Sequence, residues 1–324
     1  MITRRTLLAA STMAAAATTT ALAQPAVLNP PVKLTVGQVK VPHVAPFHYL
    51  PAECAKLGVE LEMVNFLRYA DIRTALASGS IEVGAIGPAD VPIAVSQGLR
   101  GIVGLYGVGT SAKHPIVRTG VMLDKWEDLI GKKVGIAPGS AVWFQFAATL
   151  VEAGVPYGRL NVVNIQGGGQ PFLQGLQRGD IDLFIGWEPF ESMAVSQGLA
   201  FRQTKLDYSQ SKAVGAELGM VGATRTAIDT KREALRRFVF AYLKVQAEIS
   251  SSKDKLAEAV SAWTGLPAEV AKNVAADMTL GQFLTLEQIQ AQAKTFHQLG
   301  VIQRDVSGEM GQFFDQTILA AARA

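Results

Sequence analysis

A stretch of six residues occurs twice in this chain, one hundred positions apart. Residues 94–99 read AVSQGL, and residues 194–199 repeat those letters without a change. The similarity extends upstream, where residues 76–82 share a leucine, a glycine, an isoleucine and a final acid with residues 176–182. Self-similarity at a fixed period indicates a duplicated structural unit. Two similar lobes therefore make up most of the chain, and two lobes enclose a cleft.

Short apolar runs alternate with helix-length segments in each copy, which is the pattern of a βαβ sheet. In the first copy we predict strands at 32–39, 59–66, 81–86 and 102–106 and helices at 47–57, 71–78 and 89–97. In the second copy we predict strands at 133–137, 160–165 and 181–185 and helices at 141–153, 171–178 and 189–197. Each lobe should then be an α/β layer structure, an open and mostly parallel sheet flanked by helices. Such sheets bind ligands at the carboxyl ends of their strands.

The last third of the chain has a different pattern. From Asp229 onward apolar residues recur at helical spacing, and Thr285 begins a sequence that fits a capping box. The arginines in this region are most simply a solvated helix face, and they are Arg232, Arg236 and Arg237. We expect these C-terminal helices to pack mainly on the first lobe.

The chain should cross between the lobes twice, near Arg118 and again near residues 218–224. This divides it into lobe one, residues 32–117 plus 222–324, and lobe two, residues 118–221. A hinge at the two crossings would let the lobes close on a ligand.

The first residues predict an export signal. Arg4 and Arg5 precede an uncharged run at residues 6–22, and small residues at Ala21 and Ala23 fit a signal peptidase site. We therefore treat residues 1–23 as a signal peptide outside the fold. The paired arginines are compatible with the twin-arginine route and with the general secretory route, and the sequence leaves both open.

Composition excludes several classes of function. Of the 324 residues 49% are hydrophobic, which suits two packed domains. Without the two arginines of residues 1–23, the net charge falls from +3 to +1, which does not suggest a nucleic-acid or membrane-surface partner. Cys54 is the only cysteine and the four histidines have no metal-ligand spacing, so we expect no disulfide, no metal and no other cofactor.

Several segments resemble a known family. Residues 75–84 (ALASGSIEVG), 127–136 (EDLIGKKVGI), 138–140 (PGS), 176–182 (LQRGDID) and 187–189 (WEP) resemble the substrate-binding proteins of sulfonate, nitrate, taurine and thiamine-precursor ABC importers. The resemblance implies a two-lobed type II periplasmic-binding-protein fold and a periplasmic location. It also implies a monomer that closes on a small-molecule ligand and delivers it to an ABC permease in the inner membrane.

Twelve residues lie at predicted strand ends or helix starts that face the cleft, and we expect them to line the ligand site. They are His43, Phe47, Arg68, Pro88, Ala89, Thr110, Ser140, Ala141, Trp143, Gly169, Trp187 and Glu188. Ser140 follows a strand and opens a helix, where free N–H groups and the helix dipole favour an anion. Its hydroxyl could equally serve only as the helix N-cap. The expected ligand is a small organic anion of the sulfonate or carboxylate type.

Other site residues have two interpretations that the sequence leaves open. Trp187 could stack on an organic ligand or be buried against the hinge. His43 could donate to a polar ligand atom, and Arg68 could grip an acidic group, or both could serve only the protein. Asp90 could bind an amine, although an acid at a helix start is the simpler interpretation, and Glu188 is read as structural. The glycines at 167–169 permit either close approach to a ligand or a tight turn.

Two other functions remain possible on this scaffold. A pyrimidine-synthase-like enzyme would resemble the family equally, but it would depend on a cysteine- and histidine-rich iron site. A ligand sensor is the other alternative. Neither a phosphate-binding Walker A sequence nor a Gly-x-Ser-x-Gly nucleophile motif is present, so a non-catalytic receptor is the leading interpretation.

Overall fold

Two β-sheets organise the computed structural model, which describes residues 24–166, 169–212 and 214–324. The strands are β1 (Val32–Val39), β2 (Val59–Phe66), β3 (Val83–Ile86), β4 (Ile102–Ser111), β5 (Ile116–Arg118), β6 (Lys133–Ile136), β7 (Asn161–Asn164), β8 (Leu183–Ile185), β9 (Ala200–Arg202), β10 (Glu217–Thr224) and β11 (Met278–Leu280). The predicted signal peptide lies outside the described residues.

Helices connect and cover the sheets. They are α1 (Leu50–Ala55), α2 (Tyr69–Ser78), α3 (Asp90–Ser96), α4 (Ala141–Glu152), α5 (Gln170–Arg178), α6 (Phe190–Ser196), α7 (Arg225–Thr230), α8 (Arg232–Ile249), α9 (Lys253–Thr264), α10 (Ala268–Asp277), α11 (Leu286–Gln298) and α12 (Thr317–Arg323). Shorter 3-10 segments include Pro42–His48, before α1. In the part of the chain described here, no helix combines the length and apolarity needed to span a bilayer.

The two sheets repeat one topology. In the first, β2, β1 and β3 lie side by side and parallel, followed by the antiparallel strand β10. In the second, β7, β6 and β8 have the same order and direction, followed by the antiparallel strand β5. The predicted two-lobed α/β fold is therefore confirmed, with three parallel strands in each sheet and antiparallel pairing beyond them.

The six-residue repeat marks the end of equivalent helices. Gly98 directly follows the capping residue of α3 and Gly198 that of α6, with φ angles of 80° and 70°. This left-handed conformation is one that glycine adopts without steric cost. The repeated Gln-Gly-Leu sequence therefore ends the third helix of each lobe in the same way.

The chain crosses between the sheets at residues 112–115 and 203–216. Strand β5 already belongs to the second sheet, and the whole of β10 belongs to the first. Both crossings therefore come earlier in the chain than the lobe boundaries expected from the sequence, which were 117/118 and 221/222. The reason is that β5 and β10 are antiparallel strands next to a crossing. Their apolar pattern is the same whichever sheet they join.

The C-terminal helices share their core with the first sheet, as predicted. In α8, the Phe238 ring lies edge-on to Phe47 at 5.8 Å between centroids, within one continuous apolar cluster. The expected solvated arginine face is wrong for Arg237, which is 5% exposed and donates from Nε to the Ala26 carbonyl at 2.8 Å. Its guanidinium therefore holds the N-terminal segment against α8.

The predicted capping box at α11 is present, and its loss should be measurable. Thr285 Oγ1 accepts from the Gln288 N–H at 3.2 Å, and Gln288 Oε1 accepts from the Thr285 N–H at 2.9 Å. We expect Thr285→Ala to lower the free energy of unfolding by about 1 kcal/mol, because one N–H at the helix start loses its acceptor. Urea denaturation measures this, with Thr226→Ala as a control on an exposed threonine of α7. Equal midpoints for both variants would contradict the prediction.

Candidate functional site

A cavity of about 170 Å³ lies between the lobes. Its walls come from the residues that follow β1, β3, β6 and β8, from the starts of α2 and α4, from the first crossing and from the end of α10. The carboxyl ends of parallel strands from both sheets therefore meet at one cavity, as the topology predicted. Most of its lining residues are apolar, with a smaller set of charged and polar side chains among them.

Seven of the twelve residues predicted at the cleft line this cavity. They are His43, Arg68, Ala89, Ser140, Ala141, Trp187 and Glu188. All seven lie within a few residues of a strand end or helix start, where the βαβ pattern had placed the cleft. The pattern therefore placed these residues at the edge of each sheet that lines the cavity.

Three other predicted residues pack inside the protein. Phe47 is 1% exposed, in the core of lobe one. Trp143 donates from Nε1 to the Tyr157 hydroxyl at 2.8 Å and packs within lobe two. Gly169 is the N-cap residue just before α5 and lies so close to the Phe190 ring that a Cβ atom would overlap it. Gly167 and Gly168, predicted with it, lie outside the described residues.

The last two predicted residues lie beside the cavity. Pro88 lines a separate, water-sized space next to it. Thr110 pairs with Glu217 in the ladder between β4 and β10. The residue after it, Ser111, lines the main cavity in its place. The predicted strand at 102–106 ends five residues before β4 does, so Thr110 lies inside the strand and not after it.

Ser140 is both an N-cap and a cavity residue. Its Oγ accepts from the Trp143 N–H at 3.2 Å, which stabilises the start of α4. The half-buried side chain also faces the cavity. The two interpretations of this serine are thus compatible in the structure.

The buried His43 and the half-buried Tyr69 form a pair at one wall. The Nε2 atom of His43 hydrogen-bonds the Tyr69 hydroxyl. Burial, aided by the charge of Lys113, lowers the pKa of His43 from 6.5 to about 3. The imidazole is therefore neutral at physiological pH, and one of its ring nitrogens is already used by the protein.

The acids considered from sequence already have partners in the protein. Asp90 pairs with Arg73, and its Oδ2 accepts from the Gly87 N–H at 2.7 Å. Glu188 accepts from Arg202 at 2.7 Å and from the Ser192 hydroxyl at 2.8 Å. These contacts agree with an acid at a helix start and with a structural glutamate, respectively.

One guanidinium joins three carboxylates at the far wall. Besides Glu188, Arg202 lies 3.7 Å from Glu191 Oε2 and 3.6 Å from Asp277 Oδ2, the latter in α10 of lobe one. Burial, together with the neighbouring Glu188, raises the pKa of Glu191 from 4.5 to about 8. This cluster therefore links the lobes and contains one carboxyl that is neutral at pH 7.

Two further charged residues of the site were missed by sequence reasoning. Lys113, in the first crossing, is 5% exposed, and burial lowers its pKa from 10.5 to about 8. Glu217, at the start of β10, is 2% exposed, and burial raises its pKa from 4.5 to about 8. The signal for both was their position at an interlobe crossing, which had been expected a few residues later.

A family model described as NMT1/THI5 like matches residues 55–255, more than half of the chain. The taurine-binding periplasmic protein of Escherichia coli (strain K12) is 31% identical over 134 residues. That match covers 41% of this chain and 40% of the relative, so the chain spans less than half the length of this curated relative.

Solved structures share the fold at low identity. The alkanesulfonate-binding protein of Xanthomonas axonopodis pv. citri, bound to MOPS, superposes with a TM-score of 0.75 at 18% identity over 89% of this chain and 99% of that one. The nitrate-binding protein of Synechocystis PCC 6803 gives 0.73 at 14% identity over 90% and 88%. With the two-lobed topology and the interlobe cavity, these matches show that the chain belongs to the NMT1/THI5-like family and has the fold of type II periplasmic binding proteins.

Proposed function

We propose that this protein is an extracytoplasmic solute-binding protein of an ABC importer, which holds a small organic acid between its lobes and delivers it to a membrane permease. The observation that carries the proposal is the cavity formed jointly by the strand ends of both sheets. A ligand that touches both lobes stabilises their closed arrangement, because its contacts with both are complete only there.

The cavity is large enough for an organic molecule. Its volume of about 170 Å³ is an order of magnitude above the roughly 10–15 Å³ that a single water needs on the same measure. More than half of the lining residues are apolar, and charged and polar side chains lie among them, a combination that suits a small organic ligand with a polar group. Size and lining thus favour an organic acid over a bare inorganic ion such as nitrate.

The relatives support a receptor rather than an enzyme or a sensor. The proteins reported above are described as binding taurine, alkanesulfonates and nitrate. We extend this role to the present chain, and with it a monomeric state, a permease partner and export after cleavage behind Ala23. We also propose that the seven cavity-lining residues predicted from sequence contact the ligand.

Ligand capture is tested on the purified protein. Native mass spectrometry should reveal a small copurified acid, recovered chemically unchanged after incubation. Taurine, ethanesulfonate, propionate and benzoate are then added singly in a thermal unfolding assay. A ligand at a hundred times its Kd adds about 2.7 kcal/mol of stability, or roughly 5–10 °C in Tm. A ligand that is altered chemically would contradict the receptor role, and so would the absence of any bound or stabilising compound.

Trp187→Ala should weaken binding of whichever compound stabilises the protein. The half-buried indole lies in the cavity wall, edge-on to Phe172 at 5.4 Å between ring centroids. Removing its apolar contact with the ligand is expected to raise Kd by about tenfold. Trp126→Ala is the matched control, because Trp126 packs on Phe146 in the same lobe and does not line the cavity. Equal Kd values for both variants would remove Trp187 from the site.

A further inference from the structure

Among the residues that the structure describes, one buried cation of the cavity has no carboxylate within 4 Å of its charged group. Lys113 lies in the crossing between β4 and β5, with its side chain in the cavity wall. Its backbone N–H donates to Asp207 Oδ1 at 3.1 Å, which fixes the crossing on lobe two. The side chain enters the cavity from a segment that belongs to neither sheet. Lys113 is therefore placed where both lobes would contact the same ligand.

The other cations of the cavity wall are already paired. Arg68 donates to Asp71 at 2.8 Å, and Arg202 contacts Glu188 at 2.7 Å. Within residues 24–166, 169–212 and 214–324, no carboxylate oxygen lies within 4 Å of Lys113 Nζ. Lys113 Nζ donates a long hydrogen bond to the Ser111 hydroxyl, at 3.4 Å. An ammonium has three N–H donors, and leaving them unpaired in a buried position is costly.

The acids that act on the charge of this lysine do so from beyond ion-pair distance. Glu217 and Glu191 act on Lys113 at longer range, and burial raises the pKa of each to about 8. Both are therefore largely protonated at pH 7. Glu217 Oε2 and Gln145 Oε1 are also buried without a hydrogen-bond partner in the described part of the chain. Among the described residues, this end of the cavity thus has a cation without an ion-pair partner, and polar atoms without a hydrogen-bond partner.

We propose that Lys113 binds the acidic group of the ligand, which makes the ligand a small organic monoacid, a carboxylate or a sulfonate. The inference rests on the proposed function and adds to it the residue that selects for charge. Among the described residues, the one cavity-wall cation without an ion-pair partner calls for one negative charge, and the apolar part of the lining accommodates the body of an organic molecule. The anion is then held at the interlobe crossing, whereas the sequence had indicated the start of α4 at Ser140.

Matched pairs of acid and amide test the charge requirement. Propionate, benzoate and ethanesulfonate are compared with propionamide, benzamide and ethanesulfonamide by calorimetry on the purified protein. We expect at least one acid to bind and its amide to bind at least about 30-fold more weakly. The carboxylates and the sulfonate distinguish the two kinds of acid. Equal binding of acid and amide would overturn the role of Lys113 while leaving the solute-binding function intact.

Lys113→Met keeps the length of the side chain and removes its charge. It should weaken binding of the acid by at least about 30-fold and leave binding of the amide nearly unchanged. Lys205→Met is the control, since it removes a lysine that pairs with Asp124 and does not line the cavity. Unchanged affinity in Lys113→Met would overturn the inference alone. If the wild-type protein binds neither acids nor amides, the proposed function fails and the inference with it.

Proton uptake on ligand binding gives a second test of Lys113, and it can be measured on the wild-type protein even if Lys113→Met does not fold. At pH 8.5 part of Lys113 is uncharged, and an anion beside it should draw a proton back onto the amine. Five other titratable groups act on or are acted on by the same lysine: Glu188, Glu191, Asp207, Glu217 and His43. Glu191 and Glu217 have raised pKa values, and proton uptake by them would have the same sign as uptake by Lys113. Calorimetry in Tris and in phosphate should show net uptake, smaller in Lys113→Met or Lys113→Arg. Zero uptake in the wild-type protein would contradict an anion at Lys113.

Discussion

The ligand-free protein should lose stability as the pH rises from 6.5 to 8. Glu191 and Glu217 have pKa values of about 8 in the folded protein, against 4.5 when unperturbed, because both are buried. Between those values the folded state holds two protons that the unfolded state has released. The free energy of unfolding then falls with pH, by roughly 1 kcal/mol per pH unit for each proton.

Two other groups set the limits of this pH window. His43 has its pKa lowered from 6.5 to about 3, so below pH 6.5 the unfolded state binds a proton that the folded state does not. This contribution of His43 rises with pH and cancels about half of the fall that the two glutamates cause, so the full slope begins near pH 6.5. Lys113 has its pKa lowered from 10.5 to about 8, so stability should rise again above pH 8. Stability is thus expected to pass through a minimum near pH 8.

Urea midpoints at intervals between pH 6.5 and 8 measure the slope. Glu217→Gln removes one of the two titrating groups and should roughly halve it. Glu269→Gln is the control, because the Glu269 side chain is 83% exposed. A flat profile in the wild-type protein, or an unchanged slope in Glu217→Gln, would show that these carboxyl groups ionise normally in the folded state.

Much of the fold could be predicted because its determinants are local. Strands β1 and β2 begin and end at the predicted residues, and the helix ends at Gly98 and Gly198 follow from the repeat itself. Alternating and helical periodicities report which face of an element is apolar. They do not report which sheet an antiparallel strand joins, which is why both crossings were expected several residues too late.

The site was less predictable because its charges come from distant segments. Arg202, Glu191 and Asp277 belong to β9, α6 and α10, and no sequence spacing connects them. Phe47 shows the opposite difficulty. An aromatic residue in the segment after a strand has the same local pattern whether it faces the cleft or the core, and here α8 covers it. Local patterns identify the edge of the sheet but not each side chain's neighbours.

Arg202→Met should lower the free energy of unfolding by about 3 kcal/mol, or roughly 6–12 °C in Tm. Removing one partner of a buried ion pair leaves the other charge uncompensated, at a typical cost of about 3–5 kcal/mol. The lower end applies because Glu191 is largely protonated near pH 7 and Asp277 is half-exposed, so neither gains much from Arg202. The loss therefore comes mainly from Glu188, which is 19% exposed and bonded at 2.7 Å.

A double substitution separates this electrostatic cause from lost packing. Arg202→Met combined with Glu188→Gln also removes the carboxylate that the single substitution leaves unpaired. The packing lost at residue 202 is the same in both variants, so at least half of the lost stability should return in the double variant. Lys205→Met is the control, because its ion pair with Asp124 is exposed and such pairs contribute about 0–1 kcal/mol. A double variant no more stable than Arg202→Met would assign the effect to packing of the arginine stem between α6 and α10. In that case the guanidinium would not be what links the two lobes.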